Sequence, residues 1–187
     1  MNMEMFETEN GTHADILPPA VKKEKHEGPY KSNFVCAVTI NVPAEQLYTF
    51  WRNFSNLPRF MENIVSVTVG SDRRSHWVVN APGGTAEWDS EITEDEPGRR
   101  ISWASLPDAS VDNAGTIEFR PSTEGRGTEV RALISFKPPM GGAGRMVAGW
   151  MQKDPHIQAK RDLRRFKQLM ETGEIATSPA NQDKPAS

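Results

Sequence analysis

Few side chains in this 187-residue chain combine a reactive type with a spacing that could do chemistry. His76, in the phrase Ser75-His76-Trp77, is the best placed, since an imidazole can act as general acid or base. Strand alternation sets it opposite Trp77, however, so an inward Trp77 makes His76 a surface residue. Asp95, read as a loop carboxylate, is the second candidate proton carrier. His13, His26 and His156 share no metal-ligand spacing, and neither metal nor cofactor is expected. The single cysteine, Cys36, cannot form an internal disulfide and alternates with apolar residues as a buried thiol does. Glycine pairs and the Gly-Arg-Gly of 125–127 do not follow the strand-to-helix pattern of a phosphate loop, which leaves nucleotide binding without support. Ser90 and Ser105 are the inward hydroxyls, and without an adjacent base each is a poor nucleophile.

The elements that must position these groups are legible. Phe34 to Val42 is a β-branched run ended by Pro43, after which Leu47, Phe50, Trp51 and Phe54 fall on one face of a short helix. Another single turn is expected at Arg59 to Glu62. Six alternating runs follow, near 63–70, 74–80, 86–94, 99–106, 111–120 and 127–137, separated by residues suited to chain reversal. Trp88, Ser90 and Ile92 share one face against Glu87, Asp89 and Glu91; Ile101 pairs with Trp103, and Ile117 with Phe119. In the last run Val130, Ala132, Ile134 and Phe136 point together. Glu118, Arg120 and Arg131 are expected on the wet side. A final helix, with Met146, Val147, Trp150 and Met151 before a kink at Asp154-Pro155, continues through Ala159, Leu163, Phe166 and Met170 to a stop at Gly173. Lys160, Arg161, Arg164 and Arg165 lie on one side of it, as a solvated face or as a surface for an anionic partner.

Residues 1–31 and 172–187 are polar and read as mobile tails around one domain at 32–171. The acidic start lacks the basic, apolar pattern of an export signal, and no run approaches the roughly 20 apolar residues of an integral membrane segment. A cytoplasmic protein is expected. Net charge is -3, from 22 basic and 25 acidic residues, so no positive field draws the chain to nucleic acid.

One strand, one or two short helices, six strands and a long helix resemble the helix-grip fold of the Bet v 1-like or START-like (SRPBCC) superfamily. The similarity is closest to the polyketide cyclase/dehydrase branch, and five segments carry it: Phe50 to Met61, Arg74 to Gly84, Glu87 to Trp103, Gly125 to Val130 and Asp162 to Ile175. The resemblance implies an α+β fold, in which one curved seven-stranded antiparallel sheet wraps the C-terminal helix around a hydrophobic cavity. The dry sheet face leads to the same place, because only one long helix is available to cover it. Lining would come from Trp77, Trp88, Ser90, Ile92, Trp103 and Ser105 in the middle strands, and from Ile117, Phe119, Ile134 and Phe136 in the last two. Met146 and Trp150 would add to it from the helix. The tryptophans could line a pocket or simply fill the core. Three functions follow: binding or carriage of a lipid, polyketide or quinone-like molecule; a cyclase/dehydrase using His76 or Asp95; or a regulatory module acting through the basic helix.

Overall fold

The computed structural model describes residues 32–71, 73–81, 83–123, 125, 127–137 and 155–176. β1 (Ser32–Ile40) leads to Pro43, whose fixed φ of -59° sets the chain up for α1 (Ala44–Arg52). Glu45 in the first turn and Arg52 in the last complement the helix dipole. Asn53 then accepts the Ser55 N–H and starts a 3₁₀ turn at Phe54–Arg59, containing Pro58, so the extra turn expected at Arg59 to Glu62 comes earlier in the chain and Phe54 belongs to it instead of to α1. β2 (Ile64–Val69), β3 (Arg74–Ala81), β4 (Gly84–Glu96), β5 (Arg100–Ser105), β6 (Asp112–Pro121) and β7 (Thr128–Lys137) follow, and their ends differ from the predicted runs by no more than two residues. The sheet order is β1-β7-β6-β5-β4-β3-β2, antiparallel throughout, so the first strand closes on the last.

α2 (Pro155–Thr172) lies along β1, and the 3₁₀ turn lies along β2. Between them Trp51, Phe60 and Phe166 form an aromatic plug, with ring centroids 4.8–5.1 Å apart. Burying a ring of this size contributes about 1.5–3 kcal/mol. Polar ties fix α2 to the end of β1: Lys167 Nζ donates to the Thr39 carbonyl at 2.7 Å, and Glu171 Oε1 accepts the Asn41 N–H at 2.7 Å. Gly127, at φ +78°, leaves no room for a Cβ against the Ile40 carbonyl, so the β6–β7 turn can close only with glycine there.

On the convex face Glu87, Asp89 and Glu91 are exposed, as the alternation predicts, but Glu118 is not. Its carboxylate is 3 % exposed and pairs with Arg100 Nη2 at 2.9 Å and Arg120 Nη2 at 2.7 Å. The cross-strand neighbours of Glu118 on either side are Arg100 and Arg131. Alternation fixes which face a residue takes, but not how far long neighbouring side chains cover it. The predicted helical stretch around Met146, Trp150 and Met151 lies outside the described residues, as do the first tail and most of the second.

Candidate functional site

The concave face carries a tryptophan wall. Trp77 and Trp88 pair directly across β3 and β4, with centroids 5.9 Å apart and planes 14° apart; Trp103 from β5 lies 6.2 Å from Trp77 at 16°. Phe54 from the 3₁₀ turn meets Trp77 and Trp103 edge-on at 5.5 and 5.8 Å. Trp103 can lie across β6 only because its cross-strand partner is Gly115, where a Cβ would overlap the indole. A buried indole N–H without an acceptor costs about 1–3 kcal/mol. All three are satisfied: Trp77 by Ser75 Oγ at 2.9 Å, Trp88 by Ser90 Oγ at 3.0 Å and Trp103 by Asn113 Oδ1 at 3.2 Å.

Those acceptors form a row. Ser75 pairs with Ser90 and Ser90 with Ser105, and the Ser105 hydroxyl accepts the Asn113 N–H at 3.1 Å, so polar groups cross β3, β4, β5 and β6 on the dry face. Ser90 and Ser105 are therefore inward as expected, but both are engaged. Ser75 and Asn113 were missed, because i, i+2 serine–tryptophan pairing shows in sequence only once the indole's face is known. Ile92, Ile117 and Phe119 are buried on this face and Ile134 is half-buried; the side chain of Phe136, and all of Met146 and Trp150, lie outside the described residues.

His76 is on the other side. Its ring faces solvent on the convex surface, 43 % exposed, with Asp89 Oδ1 at 2.9 Å from Nδ1 and Glu87 Oε2 at 3.6 Å from Nε2. Asp95 departs from its predicted place in the opposite sense: it is a strand residue, and it points inward. A β-bulge between Ile92 and Glu94 inserts one residue, so Glu94 pairs with Ser102 on the convex face and Asp95 with Ile101 on the concave one. Without the bulge Glu94 would take the inward position. Asp95 Oδ1 accepts from Tyr48 Oη at 2.6 Å and Oδ2 from Arg52 Nε at 2.7 Å. Tyr48 and Arg52, four apart on α1, project together. Burial, then the hydrogen bond to Asp95, pushes the Tyr48 phenol up to about 12, so it stays protonated as the donor. The inward set thus includes one carboxylate that simple alternation does not reveal, with both oxygens occupied. Glu94 behaves differently: burial raises its pKa, but the Ser102 hydroxyl and the Arg100 guanidinium outweigh that and hold it below the ordinary carboxylate range.

The expected basic side of α2 is not a free stripe. Arg161 and Arg165 pair with Glu62 at 3.3 and 2.9 Å, and Arg165 Nε donates to the Phe60 carbonyl at 3.0 Å. Beside them Asp162 is buried, and desolvation pushes it up to about 7 against hydrogen bonds from Gln158 and the Glu62 N–H. Arg59 lies over the Phe50 ring at 5.1 Å. Among the described residues no helix is long and apolar enough to cross a membrane.

Residues 40–164 match the family model for polyketide cyclase/dehydrase and lipid transport. The crystal structure of DR_A0006 from Deinococcus radiodurans is 42% identical, covering 76% of this chain and 99% of that one at a TM-score of 0.64. A 17.2 kDa protein encoded in the melC2–rnhH intergenic region of Streptomyces lincolnensis is 28% identical over 138 residues, 72% of this chain and 87% of the relative. The Zhui aromatase/cyclase from a Streptomyces species shares the fold, with a TM-score of 0.59 at 13% identity over 79% of this chain and all 100% of that one.

Proposed function

Because the chain belongs to the polyketide cyclase/dehydrase and lipid transport family, we propose that it binds a hydrophobic small molecule on the concave face of its sheet. One observation carries this reading: among the described residues, burial on the concave face is complete at one end and incomplete at the other. Ile101, Ile117, Val130, Phe60 and Phe166 are fully buried at the plugged end. Val69, paired with Ser75 on the inner side of β2, is 43% exposed at the far end, where Ser105 and Ile134 are only half-buried. Trp77, Trp88 and Trp103, 4–5% exposed between these ends, give the face the aromatic lining that a ligand of low polarity requires. Native mass spectrometry of the protein from its host, with displacement of 1-anilinonaphthalene-8-sulfonate, tests the idea. Occupancy by an apolar molecule and dye displacement are expected; a protein that takes up neither rejects it.

A cyclase reading rests on the inward Asp95. Both of its oxygens are already engaged, and His76 faces solvent, so neither of these two groups is a free acid or base on the concave face. Turnover of a poly-β-ketone thioester by the parent chain and its loss in Asp95→Asn would favour catalysis over binding. Of the basic side on which the regulatory reading rests, Arg161 and Arg165 pair with Glu62, whereas Lys160 and Arg164 are exposed.

A further inference from the structure

The convex face of the sheet is not uniformly wet. Glu87, Asp89 and Glu91 on β4 and Ala37 and Thr39 on β1 are exposed there, yet between those strands Ala104, Ala114, Thr116, Leu133 and Ser135 keep only 2–9% exposure. By register they form adjoining rows: Ala104 pairs with Ala114 and Ala114 with Ser135, while Ser102 pairs with Thr116 and Thr116 with Leu133. Ala104, Ala114 and Leu133 stand apart from the contiguous core. The described helices pack on the other face, where the Tyr48 ring of α1 meets Phe119 edge-on at 6.1 Å and Cys36 Sγ lies 3.7 Å from the His156 carbonyl of α2. Side chains as short as Ala, Ser and Thr cannot hide a leucine on a sheet face. Nor does Arg131, the long neighbour of Leu133 along β7, lie over it, because its guanidinium is directed the other way, to Glu129 at 3.8 Å.

We propose that this patch on β5, β6 and β7 is a docking surface for the chain's own residues 16–21, the segment Ile-Leu-Pro-Pro-Ala-Val. The burial arises within a single chain, so the occupant belongs to that chain. Ile16–Val21 is the longest run without a polar or charged side chain in residues 1–31, whereas residues 177–187 hold no large apolar residue. β1 starts at Ser32, opposite Phe136, at the end of the sheet that carries Ala104, Ala114 and Ser135. The ten residues between Val21 and Ser32 can span about 35 Å when extended. β5 lies only three strand spacings from β1, about 14 Å. Pro18 and Pro19 carry no N–H and favour a polyproline II path, which suits a floor of short side chains better than a hydrogen-bonded sheet edge. The occupied face is the reverse of the ligand-binding one, so docking leaves the concave side free and closes the convex side to other partners.

Maleimide labelling of the full chain, mapped by peptide mass so that Cys36 is read separately, tests the assignment. Ala114→Cys places a thiol beneath the segment, and Ala37→Cys places one on the exposed part of the same face. Ala114→Cys should label slowly, and at least about tenfold faster when combined with Ile16→Asp and Leu17→Asp, because two apolar side chains are lost from the contact. Ala37→Cys should label at one rate in both backgrounds, and near-ultraviolet dichroism confirms that the domain is folded. A photo-crosslinker at Leu17 provides a second readout that leaves the sheet unaltered, with crosslinks expected inside one chain to peptides of β5, β6 and β7. Slow labelling that ignores the two leader substitutions assigns the cover to another part of the chain and overturns the proposal. So does fast labelling in the undisturbed chain, or crosslinks that run between chains, which would make a second copy the occupant. Neither readout depends on a bound ligand, so failure here leaves the ligand-binding reading intact.

Discussion

At the scale of single residues, the concave face depends on what is absent as much as on what is present. Gly115 leaves the space that the Trp103 indole occupies, and Trp103 is in turn aligned to give its N–H to Asn113. Gly115→Ala should therefore destabilise by about 1–3 kcal/mol through overpacking, seen as a lower urea midpoint with weakened near-ultraviolet dichroism from the displaced indole. A midpoint equal to that of the parent would mean the ring can shift at no cost. Inward and outward positions of Trp77, Trp88 and Trp103 were legible because period-two alternation survives wherever the strand is regular. Asp95 was misplaced because no glycine or proline marks the bulge at Thr93, and one inserted residue reverses every face beyond it. Its partners make a second test. The Tyr48 phenol titrates at about 12, raised first by burial and then by Asp95. In Asp95→Asn its ultraviolet titration midpoint should fall yet stay above the ordinary tyrosine value, because burial remains. An unchanged midpoint would show that the hydrogen bond has no part in the shift.

Elements are joined by contacts that local pattern does not announce. The amphipathic face of α2 was readable from Leu163 and Phe166, both buried. That its opposite, basic side closes on Glu62 was not, since those partners come from a loop far back in the chain. Asp162 sits within this junction, facing Gln158, Glu62 and Arg165, with its pKa pushed up to about 7 mainly by burial. The folded chain accordingly holds that proton more tightly than the unfolded chain, where the ordinary value is 3.8. The stability this proton linkage supplies is complete below about pH 4 and is lost as pH rises toward 7. Asp162→Asn should gain on the parent between pH 5 and pH 8, by roughly 1–3 kcal/mol in urea unfolding. Identical pH dependence in the two proteins would remove Asp162 from the account.

For the molecule as a whole, the order of elements was readable from alternation and turn residues, and the single seven-stranded sheet came with the family resemblance, whereas the closure of β1 on β7 shows only in the structure. Closure creates a sheet with two unlike ends. One holds the plug of Trp51, Phe60 and Phe166, where α1, the 3₁₀ turn and α2 converge; the other carries the polar row with the half-buried Ser105 and Ile134. Stability and ligand binding should therefore separate by position. Phe166→Ala empties the centre of the plug and should cost about 3–5 kcal/mol, because a cavity among three elements cannot collapse without moving α2. Trp88→Phe keeps most of the apolar surface and removes one indole N–H that Ser90 satisfies, so roughly 1–3 kcal/mol is expected. Affinity for 1-anilinonaphthalene-8-sulfonate should respond in the reverse order, falling more in Trp88→Phe than in Phe166→Ala when both are assayed below their unfolding transitions. If the tryptophans serve only as core, Trp88→Phe will lower the urea midpoint and leave probe affinity unchanged, and the division of the concave face into a plug and a site will have no basis.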